Sequence, residues 1–166
     1  MKSDEGPLRT LFRSLIVEPV NSLERRQAMY ERLLVPIDHA ESTERVLAAA
    51  KDLALLSKGE VWVMHLRERE VMPRTGLVPT ESDNEALAGV EEAVEKLTSA
   101  GVKAHGVVDD AVFGHAARYI IEAAEEHDVD VIVMGSRGRT DLAGLLLGST
   151  AHKVIHLSNR PVLVVR

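Results

Sequence analysis

From Leu33 onward the chain alternates short apolar runs, rich in β-branched residues, with longer stretches whose apolar residues recur at helical spacing. No other feature limits its fold so sharply. The runs are Leu33-Leu34-Val35-Pro36-Ile37, Val61-Trp62-Val63-Met64, Val102 to Val108, Val129 to Met134 and Val162 to Val165. They are apolar almost throughout, as strands covered on both faces must be, and so predict a parallel sheet. Pro36 stands near the end of its run, where a missing N–H harms a ladder least.

Between the runs, Val46, Leu47, Ala50, Leu53 and Ala54 form one helical face, and Leu87, Val90, Val94 and Leu97 form another before a stop at Gly101. Ala117, Ile120, Ile121 and Ala124 make a third. The stretch from Ser149 to Leu157 gathers Ala151, Val154 and Ile155 and ends ahead of Asn159-Arg160-Pro161. The expectation is an α/β three-layer sandwich: a five-stranded parallel sheet with helices on both faces. A chain of 166 residues, 45% apolar and 28% charged, suits one such core and excludes a disordered tail or fibre.

Two segments stand apart. Arg67 to Asp83, with Pro73, Gly76 and Pro79, reads as a long mobile connection of weak order. Residues 1–31 form an N-terminal extension to a domain over 32–166. There Leu8, Leu11, Phe12, Leu15 and Ile16 follow i, i+3, i+4, i+7, i+8 spacing, an amphipathic helix that would dock on the domain, a partner protein or a membrane surface. Protein docking is favoured, since Arg9 and Arg13 are a weak electrostatic anchor.

With 20 Lys+Arg against 26 Asp+Glu the formal charge is −6, which argues against nucleic acid as a partner and requires any anion to find a local site. Cysteine is absent, excluding disulfides and thiolate chemistry. No run approaches the roughly 18 apolar residues of a membrane-spanning helix, and Met1-Lys2-Ser3-Asp4-Glu5 lacks a secretory pattern, so a cytoplasmic location is expected.

Familiar nucleotide and hydrolase signatures are missing: no G-x-G-x-x-G follows the first run, and there is no Walker loop, H-E-x-x-H or G-x-S-x-G. Directly after the fourth run comes Gly135-Ser136-Arg137-Gly138, then nine residues, then Gly148-Ser149 opening a helical stretch. By physical criteria this is a phosphate cradle. Gly135 and Gly138 let main-chain amides approach a bulky anion. Gly148, Ser149 and Thr150 offer helix-start N–H groups and the positive end of a helix dipole. Arg137 and Arg139 add guanidinium groups suited to phosphate oxygens. A strand-to-helix turn with solvated arginines and an ordinary serine cap is the alternative reading.

The span Gly135 to Ser149 matches G-x2-G-x9-G-[ST] without a gap, and residues 32–166 resemble, end to end, the nucleotide-binding branch of the universal stress protein family. Leu34-Val35-Pro36-Ile37-Asp38 opens the resemblance, His65 closes the second run, and Arg160-Pro161-Val162-Leu163-Val164-Val165 ends it. The resemblance implies an adenine nucleotide alpha hydrolase-like sheet ordered 3-2-1-4-5, with ATP across its carboxyl edge, where open α/β sheets bind ligands. By position, Asp38 would meet ribose or a metal beside Pro36 and Ile37, and Leu66 would offer its backbone to adenine. Met134, Gly135, Arg137 and Gly138 would line ribose and phosphates, and Gly148, Ser149 and Thr150 would hold the phosphate chain. A bridging divalent ion, Mg or Mn, is implied as well, as is a homodimer through the C-terminal strand. Gly114-His115-Ala116 departs from the Gly-x-Pro of many members, and residues 1–31 have no counterpart in the usual single-domain form.

Other candidates have plainer readings. Asp38 also suits a cap of the turn that follows its strand. His152 and His156, four apart, read as helix-face residues without a third ligand, Asp109-Asp110 as a strand end in solvent, and His39 as open between ligand contact and none. Three functions follow. The first is an ATP-binding, nucleotide-dependent regulatory or stress-response switch whose segment Gly138 to Leu147 alters a partner surface. The second is a slow ATP hydrolase or phosphotransferase, for which no general base is evident. The third is a nucleotide-free dimeric interaction module.

Overall fold

The computed structural model describes residues 30–38, 42–74, 76–137 and 147–166. In chain order these form β1 (Arg32–Ile37), α1 (Thr43–Ser57), β2 (Glu60–Met72), β3 (Gly76–Pro79), α2 (Asp83–Ser99), β4 (Lys103–Val112), α3 (Ala116–Glu126), β5 (Val131–Gly135), α4 (Ser149–Leu157) and β6 (Val162–Val165). The expected helix and docking stripe at Leu8 to Ile16 lie outside the described residues, as do His39, Gly138 and Arg139.

The parallel ladder runs β4-β2-β1-β5-β6, which is the order 3-2-1-4-5 counted over the five parallel strands. The sheet nevertheless has six strands, because β3 folds back antiparallel on the far end of β2, pairing Met72 with Gly76 and Arg69 with Pro79. This corrects the reading of Arg67 to Asp83 as a plain connection. β2 keeps its partner β4 as far as Arg69 opposite Val112, and Gly76, at φ +77°, takes the left-handed conformation that the return requires. The strand hides because Arg67-Glu68-Arg69-Glu70 holds no apolar run; charge pairs stabilise it instead. Asp110 lies opposite Arg67 in the ladder and bonds both Arg67 and Arg69. Asp109 and Asp110 therefore sit within β4 and do not end it, a second correction, although Asp109 is exposed as expected and Asp110 is half-buried.

Alternation along each strand sends odd and even side chains to opposite layers. Leu33, Val35, Val61, Val63, Val131 and Val133 pack under α1 and α2, while Leu34, Met64, Ile132 and Met134 pack under α3 and α4. In α2 the buried face is Ala86, Val90, Ala93 and Leu97; Leu87, expected inside, is 47% exposed. Small alanines bring this helix close to the sheet, so an isolated leucine beside the stripe is left to solvent. Ser82 and Glu85 form a reciprocal capping box at its start, and the Ser82 main-chain N–H holds the Glu85 carboxyl below its ordinary range.

At the amino edge, Lys103 foremost and then His105 hold the Glu60 carboxyl low. Trp62 lies stacked between the rings of His105 and His127, at centroid distances of 4.9 and 5.7 Å. Among the described residues no helix is long and apolar enough to cross a membrane.

Candidate functional site

At the carboxyl ends of the parallel strands, the chain leaves β1 for α1 on one face and β5 for α4 on the other. Because these connections diverge, their ends cannot cover the sheet edge between them, and a crevice opens there. The cleft is open to solvent, with a cavity volume of about 170 Å³.

Each wall comes from a different stretch of chain. The end of β1 supplies Pro36, Ile37 and Asp38, and β2 supplies Leu66. The end of β5 supplies Met134 and Gly135, with Arg137 just beyond, and the start of α4 supplies Gly148, Ser149 and Thr150. Of the residues singled out in sequence for the ligand, Gly138, Arg139 and His39 fall outside the described residues.

Gly135 is there for lack of room. A Cβ on it would lie 3.1 Å from the Ser42 hydroxyl oxygen and 3.2 Å from the Arg137 carbonyl oxygen, closer than nearly all side-chain contacts. Its importance is close approach and not an unusual φ. Gly148 also differs from expectation: its N–H donates to the Ser136 carbonyl at 2.7 Å and its carbonyl accepts from His152 at 2.9 Å. Gly148 thus closes the loop onto β5 and offers no free amide. The helix-start donors that remain are the N–H groups of Ser149, Thr150 and Ala151, the first three residues of α4, which have no acceptor one turn back in the helix. Ser136 is itself buried and fastens the same corner to β6, its N–H donating to the Val165 carbonyl at 2.8 Å.

The rest of the lining was not foreseen. Ser42, Thr43 and Val46 reach the cleft from the start of α1, Met64, His65 and Glu68 from β2, and Thr80 and Glu81 from the bend before α2; Ala116, Ile120 and Ala151 complete it from α3 and α4. His65 is only 4% exposed; its Nδ1 lies 3.1 Å from the Ile37 carbonyl oxygen and its Nε2 2.5 Å from Glu81 Oε1. Thr80 is fixed to β2 by its N–H and hydroxyl, both donating to the Glu68 carbonyl at 2.9 and 3.0 Å. Sequence had marked His65 only as the close of a run. Glu81 gave no signal at all, because its placement depends on the unrecognised return through β3.

The charged groups around the cleft are Asp38, His65, Glu68, Glu81 and Arg137. Below the arm formed by β2 and β3, Arg67 foremost and then Arg69 hold the Asp110 carboxyl well below the usual carboxylate range. His152 and His156 sit with ring centroids 4.5 Å apart, and among the described residues no cluster of three or more His, Asp or Glu could hold a metal ion. Such an arrangement can hold a flat or ribose-like group between β1 and β2 and an anionic group at the start of α4.

The model of the universal stress protein family matches residues 29–166. A universal stress protein of Bacillus subtilis is 33% identical over 151 residues, covering 83% of this chain and all of that protein. One of Methanocaldococcus jannaschii is 34% identical over 158 residues, covering 83% of this chain and 96% of its own length. Among solved structures, the universal stress protein of Archaeoglobus fulgidus in complex with dAMP superposes with a TM-score of 0.64 at 25% identity, over 83% of this chain and 99% of that one. The match of the family model over residues 29–166, and identities of 33% and 34% to two of its members over nearly their whole length, have one meaning: the chain belongs to the universal stress protein family.

Proposed function

We propose that this chain binds ATP in the cleft at the ends of β1 and β5 and acts as a nucleotide-dependent regulatory or stress-response switch. The observation that carries the reading is convergence: four stretches, two marked by the glycine spacing and two implied by the family resemblance, meet on one crevice that opens where the connections diverge. The dAMP complex of the Archaeoglobus relative supports the same ligand class. In this reading Asp38 meets the ribose beside Pro36 and Ile37, and the Leu66 backbone meets adenine. Met134, Gly135, Arg137 and Gly138 follow the ribose and first phosphates, and Ser149 and Thr150 hold the phosphate chain by N–H and hydroxyl.

A divalent ion, Mg or Mn, would bridge phosphate oxygens and add charge balance that Arg137 alone cannot supply. Such an ion would be held chiefly by the nucleotide and water. Residues 32–166 serve as the domain, in a cytoplasmic setting, and residues 1–31 as an extension for a protein partner. Occupancy of the cleft sets the arrangement of segment 138–147, which that partner reads. β6 pairs only with β5 among the described strands and leaves Leu163 42% exposed, which favours a homodimer through this strand.

A melting scan tests the reading. ATP with Mg at about 100 times its dissociation constant should add about 2.7 kcal/mol of apparent stability. Supernatant from the denatured, freshly purified protein should contain adenine nucleotide. No shift with ATP and no nucleotide released would leave the interaction module without a cofactor as the better account.

A further inference from the structure

The arm made by the end of β2 and by β3 is fastened to the domain at two places on the α2 side of the sheet. At the first, the Arg67 Nε donates to Asp110 Oδ1 at 2.6 Å, the same guanidinium meets Asp83 at the start of α2, and Arg69 also reaches Asp110. At the second, Glu81 meets His65, and His65 meets the carbonyl of Ile37. Different things lie behind the two. Behind Asp110 is the outer strand β4. Behind His65 is the last carbonyl of β1, one residue before Asp38.

A carbonyl oxygen can only accept, so His65 Nδ1 carries a hydrogen and donates it to Ile37, and one further proton lies between Nε2 and Glu81 Oε1. The buried ring is thus oriented at both nitrogens. We propose that Glu81, acting through His65, is a positioning residue for the cleft: it fixes the end of β1 from which Asp38 faces the ligand and holds the wall of Leu66, Glu68 and Thr80 in place. The ligand in this inference rests on the nucleotide reading. The new element is that a residue outside the glycine pattern governs affinity at the end of the cleft remote from α4.

Removing the carboxyl takes away the contact at Nε2 and loosens the orientation of the ring against Ile37. A glutamine restores the contact: its amide donates to the Nε2 lone pair while Nδ1–H still donates to Ile37. Asp110→Asn is the contrasting change, loosening the same arm at a place with no link to β1.

The test is calorimetric titration of the full chain with Mg-ATP, adenosine and tripolyphosphate. Glu81→Ala should weaken ATP and adenosine alike by roughly tenfold and leave tripolyphosphate unchanged. Glu81→Gln should stay within about twofold of the parent, since its amide keeps the hydrogen bond. Glu81→Asp, too short to span the contact, should fall between them, and it carries the test should the alanine variant fail to fold. Asp110→Asn should lower the melting temperature without altering any of the three affinities.

In the protein without nucleotide, the Asp38 amide resonance should shift in Glu81→Ala and not in Asp110→Asn. Equal ATP affinity in Glu81→Ala and parent, or equal weakening by Asp110→Asn, would overturn the proposal. If the parent itself bound no ATP, the nucleotide reading would fall, and the Asp38 resonance would still decide whether Glu81 positions the end of β1.

Discussion

The two ends of the cleft are built by opposite means. At the α4 end the working parts are main-chain: Gly135 makes room, Gly148 ties the loop to Ser136, and the first N–H groups of α4 face outward. At the arm end they are side chains pinned by other side chains: Glu81 on His65, Asp83 and Asp110 on Arg67, with Thr80 hung from Glu68. A main-chain site is disabled by adding atoms, whereas a side-chain site is disabled by removing them. The first kind also leaves a spacing in the sequence, because glycine is required at fixed positions; the second leaves none, because its partners come from strands far apart.

The largest effect expected from this contrast is that of Gly135→Val. Its branched side chain must displace Ser42 and the Arg137 carbonyl, which lie 3.1 and 3.2 Å from the first added atom. Overpacking of this kind costs about 2 kcal/mol of folding stability. ATP binding should be lost altogether, as read by titration. Retention of parent affinity would show that the α4 end is not crowded in the way the cleft requires.

Next comes Ser82→Ala at the arm end, which deletes the capping box of α2. The expected loss is about 1 kcal/mol by urea denaturation, with ATP affinity unchanged, since Ser82 is not part of the cleft wall. A fall in affinity here would mean that the arm transmits any loosening to the site, and the separation of its two attachments would collapse.

This contrast also explains what could be read from the sequence. All five parallel strands, their order and the four helices follow from periodicity and resemblance; α4 begins and ends at the residues expected, Ser149 and Leu157. The far half of β2 was illegible because alternating Arg and Glu carry no hydrophobic period, and its pairing with Asp110 is separated by some forty positions, |i−j| being 43 and 41 for the two arginines; β3, the four residues Gly76–Pro79, is too short to show a period. The α4 wall of the cleft was legible from its glycines. Glu81, Thr80 and Thr43 were not, since nothing in a local window says that a loop residue will reach a distant histidine or that a helix start will face another strand's end.

Arg137 offers a smaller and different test. It lies exposed at the rim, so its attraction for phosphate is screened by salt. Arg137→Ala should weaken ATP by about fivefold, or about 1 kcal/mol, at low ionic strength, with the difference shrinking as KCl is raised and no change for adenosine. A loss that ignores salt, or that extends to adenosine, would place Arg137 in the fold and not at the phosphates.

The smallest effect belongs to Asp110 and is read through pH. Its carboxyl is held low by hydrogen bonds from Arg67 foremost and then Arg69, against a partial desolvation that acts the other way. A depressed folded value means that the unfolded chain takes up the proton first, so the contribution is fully present above the ordinary Asp range, near 4, and is lost as pH falls through the lower folded value. Since the group is 32% exposed and its partners are screened, the contribution is about 0.5 kcal/mol. Asp110→Asn should therefore lower the urea midpoint slightly at pH 7, and parent and variant should converge as the pH is brought toward 3. ATP affinity should be the same in both at pH 7. A gap that widened on acidification would reverse the sign assigned to this pair, and a change in affinity would join the Arg67 attachment to the cleft, leaving Glu81 and His65 without their separate role.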